Sequence, residues 1–181
     1  MRIIVKKDHE EMSRFAALEF LSYMRKPGRV NIAPTAGTTP ARMYEFIHEF
    51  IQGDTTIFDN EIYFYQQDNF LSTKHPEVIS YFKEIDTMFF EPNNVKESQI
   101  KRLTFATYEN ADESIAADGG LDLVLMGLGG DGHIAANMPG TPFSNKGYAQ
   151  TFDGEFQQQM AEMFGAPDGD TWTSLGMSTL M

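Results

Sequence analysis

The alternation of apolar and polar residues divides the first 127 residues into short strands and longer helices. Apolar side chains recur at helical spacing over residues 12–24, and Asp8 is placed to cap the first turn of that helix. Residues 43–50 repeat the pattern with apolar side chains on one face. Further helices are predicted at residues 76–90 and 110–118.

Short runs rich in β-branched and aromatic residues predict the strands. They lie at residues 29–34, 61–67, 100–105 and 121–127. The last run is apolar almost throughout, as expected of a strand covered on both faces. Strands that alternate with helices in this way predict an α/β fold with a mainly parallel sheet flanked by helices. Beyond Thr141 the pattern is weak and predicts no element.

Composition and charge narrow the class of protein. The 181 residues are enough for one domain with a hydrophobic core, which we expect to span residues 1–181. Without cysteine the chain has neither disulfides nor thiolate chemistry. A net charge of −12 disfavours nucleic-acid partners, which require a basic surface. The N-terminal segment turns charged early and no run of 18 residues is apolar, so we expect a cytoplasmic protein without membrane contact.

Three predicted strand ends carry residues suited to binding or catalysis. Ligands of parallel α/β sheets gather beyond the C-terminal ends of the strands, so these segments should share one rim. In the first segment Gly37 follows a strand, Thr38 or Thr39 can cap the next helix, and Pro40 suits its first position. Free N–H groups, the helix dipole and the threonine hydroxyls would then bind a phosphate. An ordinary capped junction between strand and helix explains the same residues.

The second and third segments supply groups for proton transfer. Asp68 stands at a strand end beside apolar residues, where a carboxylate can have a raised pKa and act as a base. In the motif GLGGDGH, the backbone of Gly129 and Gly130 can approach and bind an anion, and Asp131 can orient His133. The alternatives are a turn aspartate that caps its own backbone and a tight turn with a surface histidine.

Neither a metal nor a cofactor is indicated by the sequence. His9, His48 and His75 are not spaced with carboxylates as in metal sites. Neither a Walker pattern nor a dinucleotide-binding pattern occurs, so nucleotides are weak candidates. The phenylalanines and methionines are typical of a core and require no cofactor.

Taken together, the motifs PTAGTTP, YQQDNF and GLGGDGHIAANMPG resemble, in that order, those of the glucosamine-6-phosphate deaminase/isomerase family and its relative 6-phosphogluconolactonase. The likeness covers residues 1–140 and is greatest to the glucosamine-6-phosphate isomerase-like branch. Near the C-terminus, LGMSTLM is a weaker match to a later family motif. The resemblance implies a three-layer Rossmann-like domain that binds a sugar phosphate without a metal.

The resemblance also implies a role for each site residue. His133, oriented by Asp131, would move a proton at the ring oxygen and open the sugar. Asp68 would take the proton from C2 and return it to C1 through an enol(amine), and ammonia would leave a 2-amino sugar. The loop of residues 37–39 would hold the 6-phosphate. These roles describe an aldose–ketose isomerase or deaminase of carbohydrate metabolism.

Several features depart from the family pattern. Met138 replaces a glutamate that supports the histidine in the deaminases, and a thioether carries no proton. Asn69 replaces an acidic neighbour of the base. An arginine that helps bind phosphate is missing, with Lys146 as the nearest substitute. Family members continue for some tens of residues, which supply sheet strands and a phosphate-binding lysine, so we expect a chain shortened at its C-terminus.

Three functions stay open at this point. The expected one is an isomerase or deaminase that acts on a hexose or aminohexose 6-phosphate. The second is a hydrolase of the lactonase type, in which His133 would activate water. The third is a sugar-phosphate binding protein without turnover. The sequence also leaves the oligomeric state open, a homo-oligomer included.

Overall fold

A computed structural model describes residues 3–52, 54–76, 84–163 and 168–181 of the chain. Four strands form a parallel sheet: β1 (Val30–Ala33), β2 (Ile62–Tyr65), β4 (Ile100–Lys101) and β5 (Leu123–Val124). Their order across the sheet is β4-β2-β1-β5, so the two inner strands are β2 and β1. The sequence predicted all four strands and their parallel arrangement, although β4 and β5 are shorter than expected.

Helices cover both faces of this sheet. They are α1 (His9–Met24), α2 (Thr38–Phe50), α3 (Ala111–Ala117) and α5 (Met177–Leu180). A further helix, α4 (Gly154–Met163), packs in a separate cluster with Phe70 and Trp172. The predicted cap of α1 is confirmed, because the Asp8 side chain accepts a hydrogen bond from the Glu11 N–H at 2.9 Å.

Alternate side chains of the strands point to opposite faces of the sheet and belong to two different hydrophobic clusters. Ile32 and Phe64, which pair across β1 and β2, pack with α1 and α2 on one face. Ala33 and Tyr65 point to the other face and pack with α3 and with Leu180 of α5. The sheet with helices on each side is the three-layer arrangement that the resemblance implied.

A second sheet was not predicted. It is antiparallel, in the order β3-β7-β6, and consists of β3 (Asp68–Leu71), β6 (Tyr148–Thr151) and β7 (Thr171–Ser174). Its central strand β7 buries hydroxyl side chains: Thr173 Oγ1 donates to the carbonyls of Asn69 and Leu103, both at 3.3 Å. A buried strand made of polar residues has no hydrophobic alternation, which is why the pattern failed beyond Thr141.

Other predictions from the hydrophobic pattern need correction. β5 is an edge strand with both residues half-buried, so it is not covered on both faces. Of the helix predicted at residues 76–90, residues 77–83 lie outside the described residues, and Asp86–Phe90 form a turn of π-helix. Within the described ranges, no helix combines the length and apolarity needed to cross a membrane.

Candidate active site

A cavity of about 500 Å³ opens at the C-terminal edge of the parallel sheet. The loops that follow β1, β2 and β5 form it, and α1 contributes one wall. These three strands are neighbours, and the chain reaches β2 on one side of β1 and β5 on the other, which is where α/β sheets bind ligands. Asp68, His133 and the loop of residues 37–39 all line this cavity, as the shared-rim prediction required.

Asp68 enters the cavity as the first residue of β3, and two residues separate it from the end of β2. Between the strands, Gln67 is buried and its Nε2 donates to the carbonyls of Ala33 at 3.0 Å and Leu125 at 2.6 Å. The Gln67 side chain therefore links the residue that precedes Asp68 to the ends of β1 and β5 by hydrogen bonds. This anchoring lets the next side chain turn toward the cavity at a fixed position.

Burial makes Asp68 a proton acceptor suited to near-neutral pH. Loss of hydration is the largest effect and raises the pKa of Asp68 from 3.8 to about 6. Two contacts act in the opposite direction: the Trp172 indole Nε1–H donates to Oδ2 at 3.0 Å, and His133 lies near enough to favour the anion. A carboxylate with this pKa is ionised at pH 7 and remains basic enough to accept a proton.

Asp131 holds His133 from outside the cavity. Asp131 Oδ1 lies 2.6 Å from His133 Nδ1 and also accepts the His133 backbone N–H at 3.1 Å. These two contacts, the backbone N–H first, lower the pKa of the exposed Asp131 carboxyl. With Nδ1 protonated toward Asp131, the neutral imidazole presents Nε2 as an acceptor.

Gly129 gives the imidazole its space. A Cβ at this position would lie 2.3 Å from His133 Cε1 and 2.4 Å from Nδ1, so only glycine fits against the ring. The Gly129 N–H donates to the His133 carbonyl at 2.9 Å and is not directed at a ligand. Gly130 and Asp131 are not among the lining residues of the cavity. The Gly129 N–H, which was predicted to bind an anion, instead forms a hydrogen bond within the turn to the His133 carbonyl.

The end of β7 joins the segments that carry Asp68 and His133. The Leu175 N–H donates to the Gln67 carbonyl at 2.7 Å, directly before Asp68. The Leu175 carbonyl accepts from Nδ2 of the buried Asn137 at 2.9 Å, four residues after His133. The backbone of one residue, Leu175, therefore links the Asp68 segment to the His133 segment.

The threonine loop begins its helix differently from the prediction. Helix α2 starts at Thr38, and Gly37 is its N-cap residue, with φ of 103° and without a side-chain cap. Neither threonine caps the helix, and Pro40 is its third residue. The positive φ of Gly37 turns the chain into the helix one residue early, so no hydroxyl is needed. Thr38 and Thr39 still line the cavity.

A carboxylate occupies the predicted phosphate loop. The Gly37 N–H donates to Glu84 Oε2 at 2.9 Å. Of the described residues that line the cavity, the ionisable ones are Asp68, Glu84 and His133, with no lysine or arginine. Lys146 lies elsewhere and pairs with Glu113 at 2.7 Å, so it does not replace the family arginine. An anion bound here would depend on backbone N–H groups and the α2 dipole.

Three residues of the site were missed by the sequence analysis. Trp172 and Glu84 contact Asp68 and Gly37 across the fold, and nothing local in the sequence marks them. Ser13 of α1 is buried at the cavity wall, and its hydroxyl has no hydrogen-bond partner among the described residues. Over the same ranges, no group of three or more histidine or carboxylate side chains could hold a metal ion.

Two of the residues that depart from the family motifs, Asn69 and Met138, lie outside the cavity lining. Asn69 is buried on the side of β3 away from Asp68, where its Nδ2 donates to the Leu103 carbonyl at 3.1 Å. Its replacement of an acidic residue therefore does not change the cavity. Met138 is half-buried and is not among the cavity's lining residues.

Comparison with known proteins identifies one matching family model and relatives that share its description. A family model described as glucosamine-6-phosphate isomerases/6-phosphogluconolactonase matches residues 7–157. The chain is 30% identical over 152 residues to a glucosamine-6-phosphate deaminase of Lysinibacillus sphaericus, covering 80% of this chain and 63% of the relative. It is 32% identical over 157 residues to the Clostridium perfringens deaminase, covering 80% and 62%. The match spans less than two thirds of either relative's length.

Solved structures share the fold at lower sequence identity. A monomeric glucosamine-6-phosphate deaminase superposes with a TM-score of 0.81 at 21% identity, over 99% of this chain and 78% of that one. The 6-phosphogluconolactonase of Trypanosoma cruzi superposes with a TM-score of 0.62 at 18% identity, over 98% and 75%. These likenesses support the three-layer α/β fold.

Proposed function

Because the chain belongs to the family of glucosamine-6-phosphate isomerases and 6-phosphogluconolactonases, we propose that it acts on a hexose or aminohexose 6-phosphate as an aldose–ketose isomerase or deaminase. The observation that carries the proposal is the pairing of two proton-transfer groups on one cavity. Asp68 has a pKa of about 6, and His133 is held by Asp131 at 2.6 Å. An enolising enzyme needs such a pair, one group for carbon and one for oxygen.

The proposed reaction assigns proton transfer at carbon to Asp68 and proton transfer at oxygen to His133. His133 moves a proton at the ring oxygen and opens the sugar. Asp68 removes the C2 hydrogen as a proton, and the C–H electrons form the C1–C2 double bond of an enol(amine). The electron pair of the C1 carbonyl π bond moves onto its oxygen, which takes a proton relayed from solvent by His133. Asp68 then delivers the proton to C1, and hydrolysis of the resulting C2 imine releases ammonia from a 2-amino substrate. The loop at Gly37 supplies hydrogen bonds for the 6-phosphate.

The test is solvent exchange at the substrate carbon. Incubation of glucosamine 6-phosphate in deuterated water should place deuterium at C1 of the product and release ammonia in equal amount. His133→Ala should abolish the reaction of the closed sugar. Hydrolysis of 6-phosphogluconolactone that survives Asp68→Asn and is lost in His133→Ala would instead establish a lactonase. Saturable binding of these ligands without exchange or hydrolysis would establish a binding protein.

The Glu84 contact predicts that this carboxylate weakens phosphate binding. A phosphate that accepts the Gly37 N–H must displace Glu84 Oε2 or lie beside its negative charge. At the protein surface, repulsion at this range is worth about 1–2 kcal/mol, so Glu84→Gln should bind inorganic phosphate about five- to thirtyfold more tightly at low salt. Isothermal titration calorimetry measures the affinity, and added salt should reduce the gain.

Glu91→Gln is the matched control for this prediction. Glu91 is exposed, lies seven residues along the chain and is not among the lining residues of the cavity. Its replacement removes the same global charge and should leave phosphate affinity within about twofold, because a solvent-screened charge contributes little. Equal affinities for the two variants would show that phosphate does not bind at the Gly37 N–H.

A further inference from the structure

The register of the second sheet places Trp172 beside the proposed base. Strands β3 and β7 pair with Asp68 opposite Ser174 and with Phe70 opposite Trp172. Side chains that lie directly opposite each other, and every second side chain along a strand, share one face of a sheet. Asp68 and Trp172 are therefore diagonal neighbours on one face, and an aromatic side chain can bridge that separation. The indole does so, because its Nε1–H donates to Asp68 Oδ2 at 3.0 Å.

Aromatic neighbours hold the indole in this position. The ring centre of Phe70 lies 6.4 Å from that of Trp172 at an interplanar angle of 70°, and the ring centre of Phe152 lies 6.3 Å away at 74°. Such edge-to-face contacts prefer a defined geometry. Met160 and Ala161 of α4 belong to the same hydrophobic cluster. The packing therefore restricts rotation of the indole and fixes the direction of its N–H.

The two carboxylate oxygens of Asp68 are consequently not equivalent. The torsion that turns an aspartate carboxylate about its Cβ–Cγ bond is broad and nearly two-fold, so without a contact either oxygen could face the cavity. The indole N–H holds Oδ2 and so restricts this rotation. A base that removes a proton from carbon needs one oxygen at a defined distance and angle from the C–H bond. The contact with Trp172 meets that requirement for Oδ1.

We propose that Trp172 is a positioning residue for the proton transfer: it holds Asp68 Oδ2, and Oδ1 is the oxygen that takes the proton from C2 and returns it to C1. The inference rests on the function proposed above. The Oδ1–H bond that forms as the C2–H bond breaks is itself broken when the C1–H bond forms. The electron pair of the C2–H bond stays in the substrate, and the indole keeps its own proton throughout.

The test removes one hydrogen-bond donor and keeps the shape of the side chain. Because the chain contains a single tryptophan, expression in a tryptophan auxotroph supplied with 3-benzothienylalanine changes residue 172 alone. Sulfur replaces the indole N–H in a ring system of nearly the same size, so the aromatic packing is kept. The kcat for glucosamine 6-phosphate on its pH plateau should fall about tenfold, with KM within about twofold, because the base is less well placed. The matched control is 5-fluorotryptophan, which keeps the N–H and should retain the parent's kcat.

The pH profile separates positioning from packing. Donation by Trp172 favours the Asp68 anion, so loss of the donor should raise the pKa of Asp68 and move the acidic limb of kcat/KM upward by about one pH unit. Within the described part of the chain, the other titratable groups that act on Asp68 are His133 and Tyr148 of β6, and the replacement changes neither. Carbon-13 NMR of the Asp68 carboxyl follows the same shift without turnover.

The outcomes distinguish this role from the proposed function. An acidic limb that does not move, or a plateau kcat equal to that of the 5-fluorotryptophan protein, would overturn the role of Trp172 and leave the proposed function intact. A parent protein that does not exchange the C2 hydrogen would overturn the proposed function and the role within it, whatever the carbon-13 titration shows.

Discussion

Asp68→Asn is expected to abolish turnover and, at the same time, to make the folded protein more stable above pH 6. Removal of a general base costs about 10²- to 10⁴-fold in rate, and an amide cannot accept the C2 proton. The asparagine Oδ1 can still accept the Trp172 indole N–H, which Asp68 receives at 3.0 Å. The substitution therefore removes the proton acceptor and keeps the contact.

The stability gain follows from the direction of the pKa shift. Burial raises the pKa of Asp68 from 3.8 to about 6, so the folded state holds this proton more tightly than the unfolded chain does. That contribution to the free energy of unfolding is fully present below about pH 4 and is lost as pH rises through about 6. Above pH 6 the partly buried anion destabilises the fold by up to about 3 kcal/mol, a cost that asparagine does not carry.

Fluorescence of the single tryptophan measures both effects. Trp172 donates to Asp68, so its emission should titrate with a midpoint near pH 6 in the parent and not in Asp68→Asn. Urea denaturation at pH 5 and pH 8 should show the variant's advantage growing with pH. The parent's kcat/KM should rise over the same pH range, since the base must be ionised.

Glu19→Gln is the control for an acid-to-amide change. Glu19 lies on the exposed face of α1, and its substitution should change neither the rate nor the pH dependence of unfolding. A rate loss of less than tenfold in Asp68→Asn would remove Asp68 from the role of base. An unchanged stability at pH 8 would show that the carboxylate is hydrated.

The parallel sheet and its rim were accessible from the sequence because their signals are local. β1 and β2 are short β-branched or aromatic runs, and the glycine motif follows the strand that pairs beside β1. Knowing only that these strands are parallel is enough to bring Asp68 and His133 to one edge. Asp131 and His133 are two residues apart, so their pairing also required no long-range information.

The contacts that tune the site could not be predicted, because they join distant segments. Trp172 lies 104 residues from Asp68 and comes from a strand whose buried residues are threonine and serine. Glu84 reaches Gly37 across 47 residues. Hydrophobic periodicity reports which face of an element is buried and carries no information about its partner. The proton affinity of Asp68 and the charge at the threonine loop therefore became visible only in the fold.

The threonine loop shows a different limit. Its residues suggested a hydroxyl-capped helix, and the capping preferences of threonine and proline are sound in general. In the structure Gly37 adopts a φ of 103°, which a side chain would resist, and the helix begins there. The backbone conformation of Gly37 thus starts the helix without a side-chain cap, and Thr38 and Thr39 line the cavity.

A single methyl group at Gly129 is expected to reduce kcat/KM by about 10²-fold, the effect of displacing a catalytic group by roughly 1 Å. The new Cβ would lie 2.3 Å from His133 Cε1, so the imidazole must move and lose its 2.6 Å contact with Asp131. Gly129 does not have a positive φ, so alanine meets no backbone strain there. The loss therefore reports on the position of the ring.

Gly130→Ala is the neighbouring control, because its Cβ would have no atom within 4 Å and its φ is also not positive. It should keep kcat/KM within about twofold and stabilise the protein slightly, by restricting the unfolded chain. The C2 exchange assay compares the rates, and the dispersion of the NMR spectrum distinguishes a displaced imidazole from an unfolded protein. If both variants retained full activity, the contact between Gly129 and the ring would not position His133, and the pairing of Asp131 with His133 would have no part in the reaction.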